Sequence, residues 1–339
     1  MTTRAREEND IVCTEYDKDL YLLFTRGFTQ FYKNGKLVTI LGEAHNLEEK
    51  GLLTSIKSTI DQLTYVKEMI ASIPTLVLTE IPSDESRNVN KIHSINLELF
   101  RNYGRGKEHI LFSDIRPQVF EITGSHHFYL DIIRRTKSFT DLNDTEWKKI
   151  YDKLIKWVKL DCDKYEEQFK KYIDNFQTKV EKLKKLKEKL EEEYDNLYAR
   201  VLSAGDYDYL TQYISIEPSI GIYNLLFSAR IMNVITEEDL LDQINKSNEL
   251  FREIQQDVLD INMLCEMYKN NEYKNFVFVV GNNHRENFRQ YFLKDGWHQM
   301  KNIDGSFNNT INLKGTYNPQ TLSGCIRDLV LNRNKKVKY

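Results

Sequence analysis

Short apolar runs punctuate the chain, and each has the length of a buried strand. Residues 37–41, 76–80 and 110–114 lie in the N-terminal third, whereas residues 276–280 lie far downstream. In the N-terminal third these runs alternate with segments of helical periodicity, which is typical of a mostly parallel sheet covered by helices. The pattern therefore predicts an α/β fold.

The segments between the runs repeat apolar residues at every third or fourth position. One such stripe spans residues 52–70, and Asn46 before it is suited to begin a helix. We therefore predict one amphipathic helix from about Asn46 to about Ser72. Residues 254–268 carry the clearest stripe of the C-terminal half and predict another helix.

Charged residues dominate the segment from residue 144 to residue 201. An apolar stripe over residues 180–201 predicts a long helix, and a shorter stripe over residues 147–158 predicts its antiparallel partner. We therefore predict a long helical hairpin inserted into the sheet domain. Its charges favour a solvated helix face, with an electrostatic docking surface as the alternative.

Composition narrows the expected partners and location. The 48 basic and 51 acidic residues give a net charge of −3, so we expect no nucleic-acid partner and no anionic membrane partner. No apolar run approaches the ~20 residues that span a bilayer. The charged N-terminus does not resemble a secretory signal, and we expect a cytoplasmic protein.

Cysteine spacing gives a further expectation about the chemical environment. The four cysteines are scattered along the chain, with no Cys-x-x-Cys pair, at Cys13, Cys162, Cys265 and Cys325. This spacing differs from a disulfide framework. We therefore expect all four to be reduced.

Polar residues follow each apolar run directly. They are Gly42-Glu43-Ala44-His45 after the first run, Glu80 at the end of the second, Asp114-Ile115-Arg116-Pro117 at the end of the third, and Gly281-Asn282-Asn283-His284 after the fourth. In a parallel sheet, ligands bind where strand ends converge and helix N-termini offer free N–H groups. We therefore expect these residues to share one site.

The pattern Gly-x-x-His is weak by itself, because it occurs at four glycines in this chain. Only His45 and His284 follow a predicted strand and open a predicted helix. A histidine at a strand end is more often structural than functional, but two of them beside a glutamate and an arginine favour a functional site. The rival pair, His126 and His127, we interpret as surface or packing residues.

These residue types suit two kinds of chemistry. Imidazoles and carboxylates bind divalent Zn, Mn, Fe or Co, and such an ion with an open position supplies a hydroxide near neutral pH. Without a metal, His45 would act as general base on water while Glu43 or Glu80 orients it. Arg116 would stabilise an oxyanion or hold a substrate carboxylate. The sequence leaves both mechanisms open.

The four motifs, in this order and strand context, resemble the superfamily that joins TraB/PrgY-type proteins, Tiki metalloproteases, ChaN-like proteins and erythromycin esterases. Its members share an α/β fold with two Gly-x-x-His motifs, a glutamate after an intervening strand, and an arginine. The resemblance covers residues 36–125 and 273–295.

The resemblance implies one active centre lined by Glu43, His45, Glu80, Arg116 and His284. In Tiki-type proteins the histidines and the glutamate bind a divalent metal for peptide hydrolysis, which implies metal ligands at His45, Glu80 and His284. In erythromycin esterases a histidine acts as the base for lactone hydrolysis. The implied cofactor is thus a divalent metal: Mn, Co, Zn or Fe.

We therefore expect an intracellular hydrolase that attacks an ester or amide carbonyl of a small-molecule or peptide substrate. The alternative is a non-catalytic binding or assembly protein whose hairpin joins copies of the chain or a partner protein. Since both Gly-x-x-His motifs need one sheet, we expect a single α/β domain from residues 1–143 and 202–339. Residues 144–201 form the expected insertion.

Overall fold

The computed structural model describes residues 12–43, 58–82, 94–116, 167–203, 237–305 and 310–336. These residues fall into two compact units. One contains the described residues up to Asp114 and from Leu259 onward, and the other contains those from Ile115 to Val258. The expected boundary at residue 143 lies outside the described residues, so the domain division stays a prediction.

The first unit contains most of the helices and all of the strands in the described part of the chain. In chain order the elements are β1 (Tyr21–Leu23), β2 (Thr25–Lys33), β3 (Lys36–Glu43), β4 (Thr59–Ile60), α1 (Gln62–Ser72), β5 (Thr75–Pro82), α2 (Ile95–Gly104), β6 (Ile110–Asp114), α3 (Glu167–Ser203), α4 (Glu237–Lys269), β7 (Asn275–Gly281), α5 (Asn282–Lys294), β8 (His298–Asp304), β9 (Thr310–Asn312) and α6 (Leu322–Lys336). Helix α4 contributes to both units, and α3 belongs to the second.

A six-stranded sheet forms the centre of the first unit, in the order β6-β5-β7-β3-β2-β8. Strands β6, β5, β7 and β3 are parallel, while β2 runs antiparallel to β3 and to β8. A second, three-stranded sheet has the order β4-β1-β9. The predicted α/β class is confirmed.

The four apolar runs form the four parallel strands, as predicted. Residues 276–280 are fully buried in β7, and β7 pairs with β5 on one side and β3 on the other. The downstream run thus lies between two strands of the N-terminal third. The two strands that precede the Gly-x-x-His motifs are therefore direct neighbours in one sheet.

The predicted helix from Asn46 to Ser72 is only partly correct. Its end is confirmed, but α1 begins at Gln62, because Thr59 and Ile60 form β4, which pairs with β1. The Asp61 side chain accepts a hydrogen bond from the backbone N–H of Thr64 at 2.7 Å. This contact satisfies one of the free amides at the helix start. The prediction is therefore wrong for residues 58–61, and its first part, residues 46–57, lies outside the described residues.

The expectation that all four cysteines are reduced is wrong for two of them. Cys13 and Cys325 form a disulfide across 312 residues of sequence. The segments next to these cysteines meet where Glu15 pairs with Tyr317 in an antiparallel bridge and the Tyr16 N–H donates to the Thr316 carbonyl at 2.9 Å. The spacing of the cysteines along the chain does not indicate this disulfide. Cys265 is a free, buried cysteine, and Cys162 lies outside the described residues.

The second unit contains the predicted long helix as α3. Its predicted apolar stripe is buried at Val180 and Leu183, and α3 contacts the first part of α4 through Lys179, whose Nζ lies 2.8 Å from Asp257 and 3.2 Å from Glu253. Burial opposes the charge on Lys179, but these two carboxylates raise its pKa above the usual value. The predicted arm at residues 147–158 lies outside the described residues, so the hairpin stays a prediction.

None of the helices in the described ranges is long and apolar enough to cross a membrane.

Candidate active site at the carboxyl edge of the sheet

The carboxyl ends of the four parallel strands meet at one edge of the sheet. Glu43, the last residue of β3, is in register with Gly281, the last residue of β7. Pro82 at the end of β5 is in register with Asp114 at the end of β6. The predicted convergence of strand ends is thus present, and helix α5 begins directly after β7 at this edge.

Two of the predicted site residues, Glu80 and His284, lie close together at this edge. The Glu80 Oε2 atom accepts a hydrogen bond from the Gly281 N–H at 2.7 Å, so the carboxylate sits at the positive end of α5. The Glu80 Oε1 atom lies 3.6 Å from the His284 Nε2 atom. The Glu80 and His284 side chains are only 9% and 6% exposed, so the two groups interact away from bulk water.

The other imidazole nitrogen of His284 contacts an acidic residue that sequence reasoning missed. The His284 Nδ1 atom lies 2.6 Å from the Asp260 Oδ1 atom, and the Asp260 side chain is 1% exposed. Asp260 belongs to α4, where it interrupts the otherwise mostly apolar run of residues 258–265. A charged residue within such a run is the signal that could have revealed it.

Arg285, next to His284, was also missed. Its Nη1 atom donates to Thr29 on β2 and to Asn302 on β8, both at 3.0 Å. Its Nε atom donates to Asn282 in the first turn of α5 at 2.8 Å. Arg285 also forms an ion pair with Asp304. A Cβ atom at Gly42 would lie 2.8 Å from the Arg285 Cδ atom. The glycine of the first motif therefore leaves room for this arginine.

Glu43 lies at the same edge but within a different hydrogen-bond network. It is buried, and its Oε2 atom accepts from the Asn96 side-chain amide at 2.8 Å. The same amide donates to Gln62 at 2.8 Å, and Gln62 donates to Thr25 at 2.9 Å. These contacts tie Glu43 to helices α1 and α2, and its catalytic role stays a prediction.

The positions of two further predicted site residues, His45 and Arg116, stay predictions. His45 lies outside the described residues, as do the rival pair His126 and His127. Arg116 is described and partly buried, but it belongs to the second unit. The roles predicted for His45 and Arg116 therefore stay predictions.

The described residues fit two of the three predicted metal-ligand positions. Two ligands about 2.1 Å from a metal at a tetrahedral angle lie about 3.4 Å apart, close to the 3.6 Å between Glu80 Oε1 and His284 Nε2. Asp260 on the other ring nitrogen is the outer-shell partner that metal-binding histidines usually have. Within the described part of the chain, no group of three His, Cys, Asp or Glu side chains is placed to hold a metal. A third ligand would have to come from elsewhere, and His45 is the predicted one.

Comparison with known proteins identifies no relative of this chain. No family model matches the chain, and neither a curated protein nor a solved structure shows significant similarity to it. The resemblance to the TraB, Tiki, ChaN-like and erythromycin esterase superfamily therefore rests on the motifs and their placement at strand ends.

Proposed function

We propose that this chain is a hydrolase that activates water between Glu80 and His284 to attack an ester or amide carbonyl. The observation that supports it most is the 3.6 Å separation of Glu80 Oε1 and His284 Nε2, at the edge of a parallel sheet where ligands usually bind. This separation is longer than a direct hydrogen bond, and a water molecule can bridge two polar atoms at such a distance.

In the metal-free form of the mechanism, His284 is the general base. Its Nε2 atom takes a proton from the bridging water while the water oxygen bonds to the substrate carbonyl carbon. Glu80 orients this water and stabilises the imidazolium that forms, and the Gly281 N–H holds Glu80 in place. When the tetrahedral intermediate collapses, Nε2 returns the proton to the leaving alcohol or amine.

In the metal-dependent form, Glu80, His284 and His45 would hold a divalent Mn, Co, Zn or Fe ion, and the ion would make water more acidic and so a better nucleophile near neutral pH. Metal analysis of the purified protein, followed by activity measurements after chelation and metal return, separates the two forms. Stoichiometric metal and loss of activity on chelation support the second form. Full activity after complete metal removal supports the first.

The same proposal includes the detailed fold of the chain, its substrate and its location in the cell. We take the α/β domain to share the fold of the TraB, Tiki, ChaN-like and erythromycin esterase superfamily, with residues 144–201 as an inserted helical hairpin. The substrate is a small molecule or a peptide in the cytoplasm. The support is the motif order together with the placement of Glu80 and His284 at adjacent strand ends.

The test is a hydrolysis panel of p-nitrophenyl esters, lactones and peptide p-nitroanilides, run with and without each metal. We expect turnover of at least one class, and a rate at least about 100-fold lower for Glu80→Gln. Glu286→Gln is the matched control, because Glu286 lies on α5 and contacts Arg289 and Gln290. The proposal is wrong if no class is hydrolysed, or if Glu80→Gln retains the wild-type rate; binding without turnover would favour the non-catalytic alternative.

A further inference from the structure

A single carboxylate joins two side chains of α5 to helix α4. Asp260 on α4 contacts the His284 Nδ1 atom through Oδ1 at 2.6 Å and accepts a hydrogen bond from the Asn287 side-chain amide through Oδ2 at 2.9 Å. Both oxygen atoms of this carboxylate thus have a partner on the same helix. With a side chain only 1% exposed, Asp260 makes these contacts away from bulk water.

The spacing of His284 and Asn287 explains how one carboxylate reaches both. Residues three apart lie on the same face of an α-helix, about one turn from each other. The carboxylate therefore fixes α5 at two points, which limits rotation of the imidazole ring. Arg285, between them, points to a different set of partners on β2 and β8.

The chemistry of the carboxylate also selects the protonated ring nitrogen. An ionised carboxylate only accepts hydrogen bonds, so Asp260 requires the proton on Nδ1 of His284. In a neutral imidazole this leaves the Nε2 lone pair on the side that faces Glu80. Asn287 keeps the carboxylate in this orientation, because its amide donates to the oxygen that His284 does not contact.

We propose that Asp260 is a positioning residue that holds His284 in the Nδ1–H tautomer and directs Nε2 toward Glu80. The catalytic use of this tautomer rests on the proposed function, whereas the contact between Asp260 and His284 does not. A purely structural Asp260 would support packing of α4 without determining which ring nitrogen carries the proton. The tautomer of His284 therefore distinguishes the two roles.

The experiment measures the tautomer by ¹⁵N NMR of the full chain with labelled histidine, in chelator and without substrate, at pH about 9, above the usual histidine range. The His284 signals are identified by their loss in His284→Asn. We expect a proton on Nδ1 and none on Nε2. A proton on Nε2, or on both nitrogens, would overturn the proposal, and this wild-type result does not depend on the folding of any variant of Asp260.

Asp260→Asn sharpens the test. Because Asn287 donates to one side of residue 260, the new amide would present its NH2 group to His284 and shift the ring proton to Nε2. Glu266→Gln is the matched control, since Glu266 lies on the same helix and contacts Lys269, and it should leave the tautomer unchanged. A folded Asp260→Asn protein with the wild-type tautomer would contradict the proposal.

Kinetics provide the second readout once a substrate is known. We expect Asp260→Asn to lower kcat about 100-fold or more while KM stays within about 3-fold, because the substituted group does not bind substrate. If the panel shows no hydrolysis but the tautomer is as expected, the positioning role stands and the proposed function fails. If hydrolysis is found but the tautomer is reversed, the proposed function stands and the positioning role fails.

Discussion

His284 and Arg285 are consecutive residues in the first turn of α5, yet their surroundings differ in kind. Arg285 has hydrogen-bond partners on β2, β8 and α5, together with an ion pair to Asp304. His284 has a short contact to Asp260 on one ring nitrogen and faces Glu80 at 3.6 Å with the other. A buried guanidinium with partners on several elements holds those elements together, whereas an imidazole that faces a carboxylate across a gap is suited to chemistry.

Helix geometry explains how neighbours acquire such different roles. Consecutive residues of an α-helix point about 100° apart. Arg285 therefore contacts Thr29 on β2 and Asn302 on β8, while His284 contacts Glu80 on β5 and Asp260 on α4. The start of α5 thus combines the candidate catalytic group, His284, with a structural clamp, which is Arg285 and its contacts to Thr29 and Asn302.

The largest expected effect concerns the imidazole. His284→Asn removes Nε2 but keeps an amide that can donate to Asp260, so we expect hydrolysis to fall about 1000-fold while the free energy of unfolding changes by less than about 1 kcal/mol. The measurements are initial rates and denaturant titration. His298→Gln, at an exposed histidine on β8, serves as the control with little change in either. A large loss of stability in His284→Asn would mean that His284, like Arg285, serves to stabilise the fold.

The clamp should produce the opposite result. Arg285→Met removes the donor from the buried Thr29 hydroxyl and one of the two donors from the partly buried Asn302 oxygen. We expect the free energy of unfolding to fall by about 3 kcal/mol. Arg289→Met on the same helix is the control. Arg289 is partly exposed and contacts Gln299 and Glu286, so its loss should cost about 1 kcal/mol or less. Equal losses of unfolding free energy in Arg285→Met and Arg289→Met would mean that the clamp stabilises the fold no more than a partly exposed arginine does.

The space above Gly42 offers a more specific test of the clamp. In Gly42→Ala the added Cβ would lie 2.7 Å from Asn282 Oδ1 and 2.8 Å from Arg285 Cδ, so we expect a loss of about 1–3 kcal/mol in unfolding free energy. Part of this cost should disappear when Arg285→Ala is also present, because Cδ, one of the two crowding atoms, is then gone while Asn282 Oδ1 remains. A denaturant double-mutant cycle measures that coupling, and strict additivity would contradict the close contact.

The smallest effect is expected at the exposed end of the clamp. Asp304 pairs with Arg285, but its side chain is 69% exposed, so water screens the interaction. We expect Asp304→Asn to reduce the free energy of unfolding by less than about 1 kcal/mol, and less still at high salt. A loss as large as that of Arg285→Met would mean that the ion pair, rather than the buried hydrogen bonds, carries the clamp.

The parallel core of the sheet was predictable because its strands are uniform apolar runs. Residues 276–280 illustrate this: their burial follows from hydrophobicity alone, and the convergence of strand ends then follows from parallel topology. For the same reason the sequence was enough to select Glu80 and His284 as neighbours at one edge.

Strand β2 was not predictable in this way. It buries polar residues such as Thr29 and Gln30. Thr29 accepts from Arg285 and donates to Asn302, and the Gln30 amide nitrogen donates to Thr39. A search for apolar runs misses such a strand, since Thr29 is buried together with partners that are distant in sequence. Asp260 and Arg285 were missed for the same reason, because their partners lie on other elements.

The central claim is that Glu80 and His284 act together on one water molecule. The most direct measurement is the hydrolysis rate of Glu80→Gln, His284→Asn and the double variant, on whichever panel substrate the wild-type protein turns over. Residues that act as a unit give strongly non-additive losses, so we predict that the double variant is within about 10-fold of the slower single variant. Losses that multiply, or a single variant with the wild-type rate, would contradict the claim.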